Sequence, residues 1–279
     1  MRAFRQVDVF TADPYLGNAV AVILEAEGLT TEQMQQIANW TNLSETTFVL
    51  APTDPAADYL VRIFTTDVEL PFAGHPTIGT CHAWLEAGGQ PNGEGEIIQQ
   101  CGAGLVTLRA DEAGRLSFAA PPLTRSGPVA DEDVAGACRV LGIDPSEVVD
   151  AQWADNGPGW LAVLLADADA VLSLTPDFMA ANEYALGVAG PHGSGADVEL
   201  EVRAFFRFGG QPAEDPVTGS LNAAIAPWLM DRDVVESTYI AAQGTAIGRA
   251  GRVYVRRDDD GDVWVGGDAV TAITGSIEA

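Results

Sequence analysis

The chain has 279 residues, enough for two ordinary domains or one large one, and its 47% apolar, 19% charged composition is that of a globular protein with a core. A formal charge of −26 repels phosphate backbones and anionic lipid, which sets nucleic acids and membranes aside as expected partners. All 14 basic residues are arginine, so Schiff-base lysines, lysine-anchored pyridoxal phosphate and the P-loop lysine are excluded.

In chain order, "FRQVDVF" alternates as a strand, and "NAVAVIL" (18–24) reads as a buried one. "GLTTEQMQQIANW" follows as a helix, with Thr30 and Gln33 as its capping box. "ETTFVL" and "DYLVRIFTT" are the next strands. "PTIGTCHAWLEAGG" is expected as a helix starting after Pro76 and stopping at Gly88-Gly89, and "GAGLVTLRADEAGRLSFAAP" as a hairpin turned at "EAGR". "APPLTRSGP" (120–128) reads as a linker to a new helix, "DEDVAGACRVLG". Beyond it come a strand ("WLAVLLA"), a helix near 176–187, a strand ("LEVRAFF"), a helix from "DPVTGSLNAAIAPWLM", and the hairpin "GRVYVRRDDDGDVWVGG". Its "DDDGD" lacks calcium-loop spacing and reads as a solvated turn.

The second half repeats the first. "VRIF" (61–64) answers "VRAF" (202–205), and "GLVTLR" (104–109) answers "GRVYVR" (251–256). "AGHPTIGT" (73–80) is set against "AEDPVTGS" (213–220), which matches His75 to Asp215 and Thr80 to Ser220. The fold expected is a duplicated α+β unit, a mixed sheet wrapped round a helix in each half. Two helix starts with open backbone N–H groups would favour a small anion, typically a carboxylate, and an enolate-like charge beside it; the plainer reading is a pair of ordinary caps. A lone glutamate at a strand start, such as Glu45, is more often solvated. Carried toward such a cleft it would have a raised pKa suited to proton transfer, with His75 and Asp215 as polar partners.

These residues resemble the phenazine-biosynthesis F-like (PhzF-like) family, whose fold is that of diaminopimelate epimerase. The resemblance rests on "VDVFTADPYLGNAVAVI", "NLSETTFVL", "FTTDVELPFAGHPTIGTCHAWL", "EDPVTGSLNAA" and "QGTAIGRAGRVYV", and spans essentially the whole chain. It implies two similar domains, expected at 1–122 and 123–267, each a barrel-like sheet round a central helix with the site in the cleft between them. The C-terminal strand, about 268–279, is expected to return to the first domain. It implies a cofactor-free isomerase of the trans-2,3-dihydro-3-hydroxyanthranilate type, in which the catalytic glutamate falls on Glu45 and the assisting residues on His75, Asp215 and Ser220. Substrate contacts are expected from Asn18, Ser44, Gly74, Gly219 and Ser220, with neither cofactor nor metal. A homodimer acting on a small carboxylate is implied. A non-catalytic carboxylate binder, or an epimerase or racemase of other substrates, stays open as the alternative.

The remaining signals are weaker. Diaminopimelate epimerases place a cysteine pair where His75 and Asp215 stand, and Cys81 lies nearly two turns into its helix, a packing position. His75 and His82 lie two helical turns apart, too far to share one metal. His192, in "GPHGSG", is expected to be exposed, and Trp40, Trp84 and Trp228 to pack in the core. Three cysteines without a CxxC argue against a disulfide framework, and the N-terminus lacks an apolar signal core, so a cytoplasmic protein is expected.

Overall fold

The computed structural model describes residues 1–93, 95–177, 185–208 and 211–279. The chain divides into two compact units, Met1–Ala119 with Gly266–Ala279, and Ala120–Val265. Among the described residues no helix is long and apolar enough to cross a membrane.

Unit 1 begins with β1 (Arg2–Val9), β2 (Asn18–Ile23), α1 (Thr31–Thr41), β3 (Glu45–Leu50), β4 (Tyr59–Phe64) and β5 (Glu69–Leu70). It continues with α2 (Gly74–Glu86), β6 (Ile97–Cys101), β7 (Gly104–Ala110) and β8 (Leu116–Ala119). β2 runs antiparallel to β1 and parallel to β3, β4 is antiparallel to β3, β6 parallel to β4, and β7 antiparallel to β6. The short β5 adds to β4.

Unit 2 repeats this order. It holds β9 (Arg125–Pro128), α3 (Asp131–Leu141), β10 (Asp150–Asp155), β11 (Trp160–Leu164), α4 (Ala168–Ser173), β12 (Ala185–Pro191), β13 (Leu200–Phe208) and β14 (Gln211–Asp215). Then come α5 (Gly219–Asp231), β15 (Thr238–Gln243), β16 (Gly251–Arg257) and β17 (Val263–Gly267), whose last two residues fall in unit 1. From β10 to β16 the sequence of antiparallel and parallel pairings is that of β1 to β7, with the short β14 on β13 as β5 is on β4. The last strand, β18 (Ala269–Ile277), pairs with β1 from Arg2↔Ile277 to Val9↔Ala269 and belongs to unit 1. β9 pairs with β10 in the corresponding place.

In each unit one helix is buried on nearly every face. α2 contacts β1, β2, β3, β8 and β18, and every residue from Gly74 to Cys81 is buried. α5 buries ten of its residues. Neither helix shows a polar stripe, as expected of a helix enclosed by sheet. Each unit also has its own apolar cluster, around Phe48, Phe64 and Met34 in one and Trp153, Leu161 and Leu186 in the other. The two hairpin tips are built alike. Asp111 Oδ1 accepts from the backbone N–H groups of Ala113 and Arg115, and Asp258 Oδ1 from those of Asp260 and Asp262. "DDDGD" is thus an aspartate-closed turn.

Several expectations need correction. Arg125–Pro128, read as linker, is β9. The helix expected near 176–187 falls on residues 178–184, outside the described ones, and Ala185 onward is strand. Trp40 is 80% exposed, because α1 turns that face away from its apolar stripe of Met34 and Ala38. His192 is half-buried, its Nε2 3.1 Å from the buried Glu201 carboxylate.

The matched turns also correspond differently. β5 and β14 end at Leu70 and Asp215, and α2 and α5 each start four residues later, at Gly74 and Gly219. Position for position, His75 therefore corresponds to Ser220 and Pro71 to Pro216, five residues away from the pairing drawn on "xPxxG". Two close approaches support this. A Cβ on Gly102 would meet the Pro71 backbone at 2.8 Å, and one on Gly244 the Pro216 carbonyl at 2.6 Å.

Candidate active site

Glu45 is positioned by the end of α1. The capping box at Thr30 starts that helix, and Asn42, in the left-handed conformation at φ 55°, ends it. Leu43 and Ser44 then lead directly into β3, whose first residue is Glu45, opposite Val20 of β2. A Thr41–Thr46 hydroxyl contact of 2.7 Å ties the helix end to the strand. The Glu45 side chain is only 12% exposed, so the solvated reading does not hold.

His75 arrives from the other side of the same unit. It is the second residue of α2, followed by Pro76, which loses nothing at the first turn because those N–H groups have no intrahelical partner. Its Nε2 lies 3.3 Å from Glu45 Oε2, near enough for an ion pair but out of hydrogen-bond alignment. Asn18, the first residue of β2, brings its amide nitrogen to 3.5 Å from His75 Nδ1. The preceding Gly17 is obligatory, since a Cβ there would stand 2.1 Å from the Val9 carbonyl oxygen.

Burial pushes the His75 pKa down to about 3, opposed by a hydrogen bond with the Ala19 backbone. The imidazole is therefore neutral near pH 7, and its contact with Glu45 is not an ion pair. One ring nitrogen carries a proton and the other a lone pair. The other polar residues of this buried turn are used in packing. Thr77 Oγ1 accepts from Gln99 Nε2 at 3.0 Å, and Thr80 Oγ1 donates to Thr47 Oγ1 at 2.8 Å. His75 is the one aimed at a carboxyl group.

Unit 2 carries the second set. Asp215, 4% exposed, ends β14, and Thr218 Oγ1 donates to its Oδ2 at 2.5 Å. Gly219 opens α5 and is buried. Ser220 follows it; its Oγ accepts from the indole N–H of Trp160 at 3.2 Å and its carbonyl from Asn156 Nδ2 at 2.9 Å. Trp160 is the first residue of β11 as Asn18 is of β2, so in both units that strand start reaches the second residue of the buried helix. Of the eight residues expected at the site, Asn18, Glu45 and His75 meet by contact, and Ser44 and Gly74 adjoin two of them in the chain. Asp215, Gly219 and Ser220 cluster in unit 2.

The sequence reading missed Trp160, Asn156, Thr218 and Gln243. The only signal for Gln243 was the "QG" at a strand end, where Gly244 sits at φ 91°. Cys81, Cys101 and Cys138 are buried and free. Burial pushes the Cys81 thiol up to about 12, far from a reactive thiolate. Among the described residues no group of three His, Cys, Asp or Glu side chains could hold a metal ion. An open groove of about 650 Å³ runs along α1 past Gln35, Asn39, Phe64 and Val68, and none of Asn18, Glu45 or His75 lines it.

Residues 7–275 match the phenazine biosynthesis-like protein family, PhzC-PhzF. The chain belongs to that family. It is similar to antisense-enhancing sequence 1 of Schizosaccharomyces pombe, 37% identical over 98% of this chain and 97% of that one. It is also similar to a trans-2,3-dihydro-3-hydroxyanthranilate isomerase of Pseudomonas chlororaphis, 32% identical over 97% of each chain. The crystal structure of a PhzF-family phenazine biosynthesis protein of Enterococcus faecalis superposes with a TM-score of 0.81, at 26% identity and full coverage of both chains. This family member thus has the duplicated, epimerase-like α+β fold that its repeated pairings describe.

Proposed function

We propose that this family member is an isomerase moving a proton between carbons of a small unsaturated cyclic or amino carboxylate, with Glu45 as the acid/base group. The observation that carries the reading is the buried Glu45 carboxyl group 3.3 Å from a neutral imidazole. A cationic histidine there would favour the ionised carboxylate and make it a weaker base; a neutral one does not. Glu45 removes a C–H proton beside a conjugated system, the charge spreads into that system, and Glu45 returns the proton to a different carbon. His75 packs its neutral ring against the Glu45 carboxyl group, and the Asn18 amide nitrogen lies 3.5 Å from the other ring nitrogen. Asp215 and Ser220, with Gly74 and Gly219 at the helix starts, complete the proposed set, and Ser44 flanks the base. The name of the Pseudomonas chlororaphis relative supplies the first substrate to try, trans-2,3-dihydro-3-hydroxyanthranilate. Glu45→Gln is isosteric and keeps the packing. It should lower kcat by about a thousandfold or more while the melting temperature stays within a few degrees. A variant turning over at the wild-type rate would remove Glu45 from the reaction.

A further inference from the structure

Asp215 sits in a hydrogen-bonded chain whose direction can be read atom by atom. Gln243, the last residue of β15, is fully buried. Its Oε1 accepts from the Thr218 backbone N–H and from Asn222 Nδ2, both at 3.0 Å. A backbone N–H can only donate, so this atom is the amide oxygen, and the amide nitrogen is the one that faces Thr218. Nε2 donates to Thr218 Oγ1 at 2.8 Å and to the Asp215 carbonyl at 3.2 Å. With that lone pair of Oγ1 occupied, the single hydroxyl proton of Thr218 points to Asp215 Oδ2, 2.5 Å away.

We propose that Thr218 and Gln243 are positioning residues: they hold the Asp215 carboxyl group in one orientation and keep its Oδ2 an acceptor. The catalytic meaning rests on the reading of Asp215 given above; the relay itself does not. Unit 1 has a glutamine–threonine contact of its own between Gln99 and Thr77, but there Gln99 corresponds to Ala241 and Thr77 to Asn222, so the pair that reaches Asp215 is not its repeat.

The test is a carbon NMR titration of protein labelled at the aspartate side-chain carboxyl carbons, with the Asp215 signal assigned by its loss in Asp215→Asn. Thr218→Val removes the donor at nearly constant shape, and the Asp215 midpoint should rise by about one pH unit, because a hydrogen bond to the charged form is lost. Thr218→Ala gives the same rise if the valine repacks poorly, Thr218→Ser restores the wild-type midpoint, and Thr77→Val leaves it in place. With trans-2,3-dihydro-3-hydroxyanthranilate, Thr218→Val should lower kcat roughly tenfold to a hundredfold with little change in KM, and Thr218→Ser should recover it. A midpoint unmoved in both Thr218→Val and Thr218→Ala, or unrestored by serine, overturns the relay. Full turnover by Asp215→Asn overturns the role of Asp215, and the catalytic half of the proposal with it, while the titration still judges the relay.

Discussion

His75 links burial to charge most directly. Its folded pKa, about 3, lies below the 6.5 of an unperturbed imidazole, so the unfolded chain takes up the proton first on acidification. The stability that His75 contributes is whole above pH 6.5 and is lost progressively as pH falls toward 3. Between pH 7 and pH 5 the loss should be about 2 kcal/mol, read from urea unfolding at the two pH values. His75→Gln should flatten the curve by that amount; parallel curves for the two proteins would mean that folding does not lower the His75 pKa. His82, lowered in the same direction by burial, contributes with the same sign. At this scale the sequence named three residues, Asn18, Glu45 and His75, that the structure brings together in unit 1, because "NLSET" and "AGHPT" each place a polar residue at the start of an apolar element. It could not show that the histidine would be neutral, since that depends on the depth to which α2 is enclosed.

Among the elements, α2 sets the geometry of the site, and its seat is tight. A Cβ on Gly79 would come within 2.4 Å of Val20 Cγ1 and 2.9 Å of Val9 Cγ2. Alanine is the better helix former by about 1 kcal/mol, yet overpacking costs about 1–3 kcal/mol, so packing wins. Gly79→Ala should therefore lower stability by up to about 2 kcal/mol in a denaturant titration, where an exposed helical glycine would raise it. A stabilised variant would show that α2 is not clamped between β1 and β2. Most elements were legible from their periodicity, including the capping box of α1 and both hairpins. The starts of the buried helices were not. Both begin in a run of small and polar residues without a side-chain cap, so proline was the only visible marker. Because Pro76 lies inside α2 and Pro216 three residues before α5, aligning the prolines slipped the two turns by five residues. β5, β6, β10, β12, β14, β15 and α4 escaped notice; "ADADAVLS" carries no long apolar period, and Ala185–Pro191 was taken in part for the end of a helix.

At the scale of the molecule, the repeated strand order and the family match carry the fold, and charge carries a prediction of its own. With −26 formal charges and basic groups supplied only by arginine, self-repulsion opposes the compact state at low ionic strength. Raising sodium chloride from about 0.05 to 1 M shortens the screening length several-fold. The melting temperature should rise by several degrees, and a flat or falling value would show that the exposed ion pairs, such as Arg62–Glu69, outweigh the net repulsion. The duplication was legible because "VRIF" and "GLVTLR" recur in order as "VRAF" and "GRVYVR", while the third match, between the proline turns, was out of register. The return of β18 to β1 has no local signal and came only with the family resemblance.

The central claim is that Glu45 carries a proton from one carbon to another. The most direct measurement is proton NMR in D₂O of wild-type protein and Glu45→Gln, each with trans-2,3-dihydro-3-hydroxyanthranilate. The account predicts turnover by the wild type, with solvent deuterium at the carbon that gains the proton wherever the Glu45 carboxyl group exchanges before returning it, and neither turnover nor exchange in the variant. Turnover at the wild-type rate by Glu45→Gln, or a wild-type protein that binds this carboxylate and other small unsaturated carboxylates without isomerising or exchanging any of them, would contradict it.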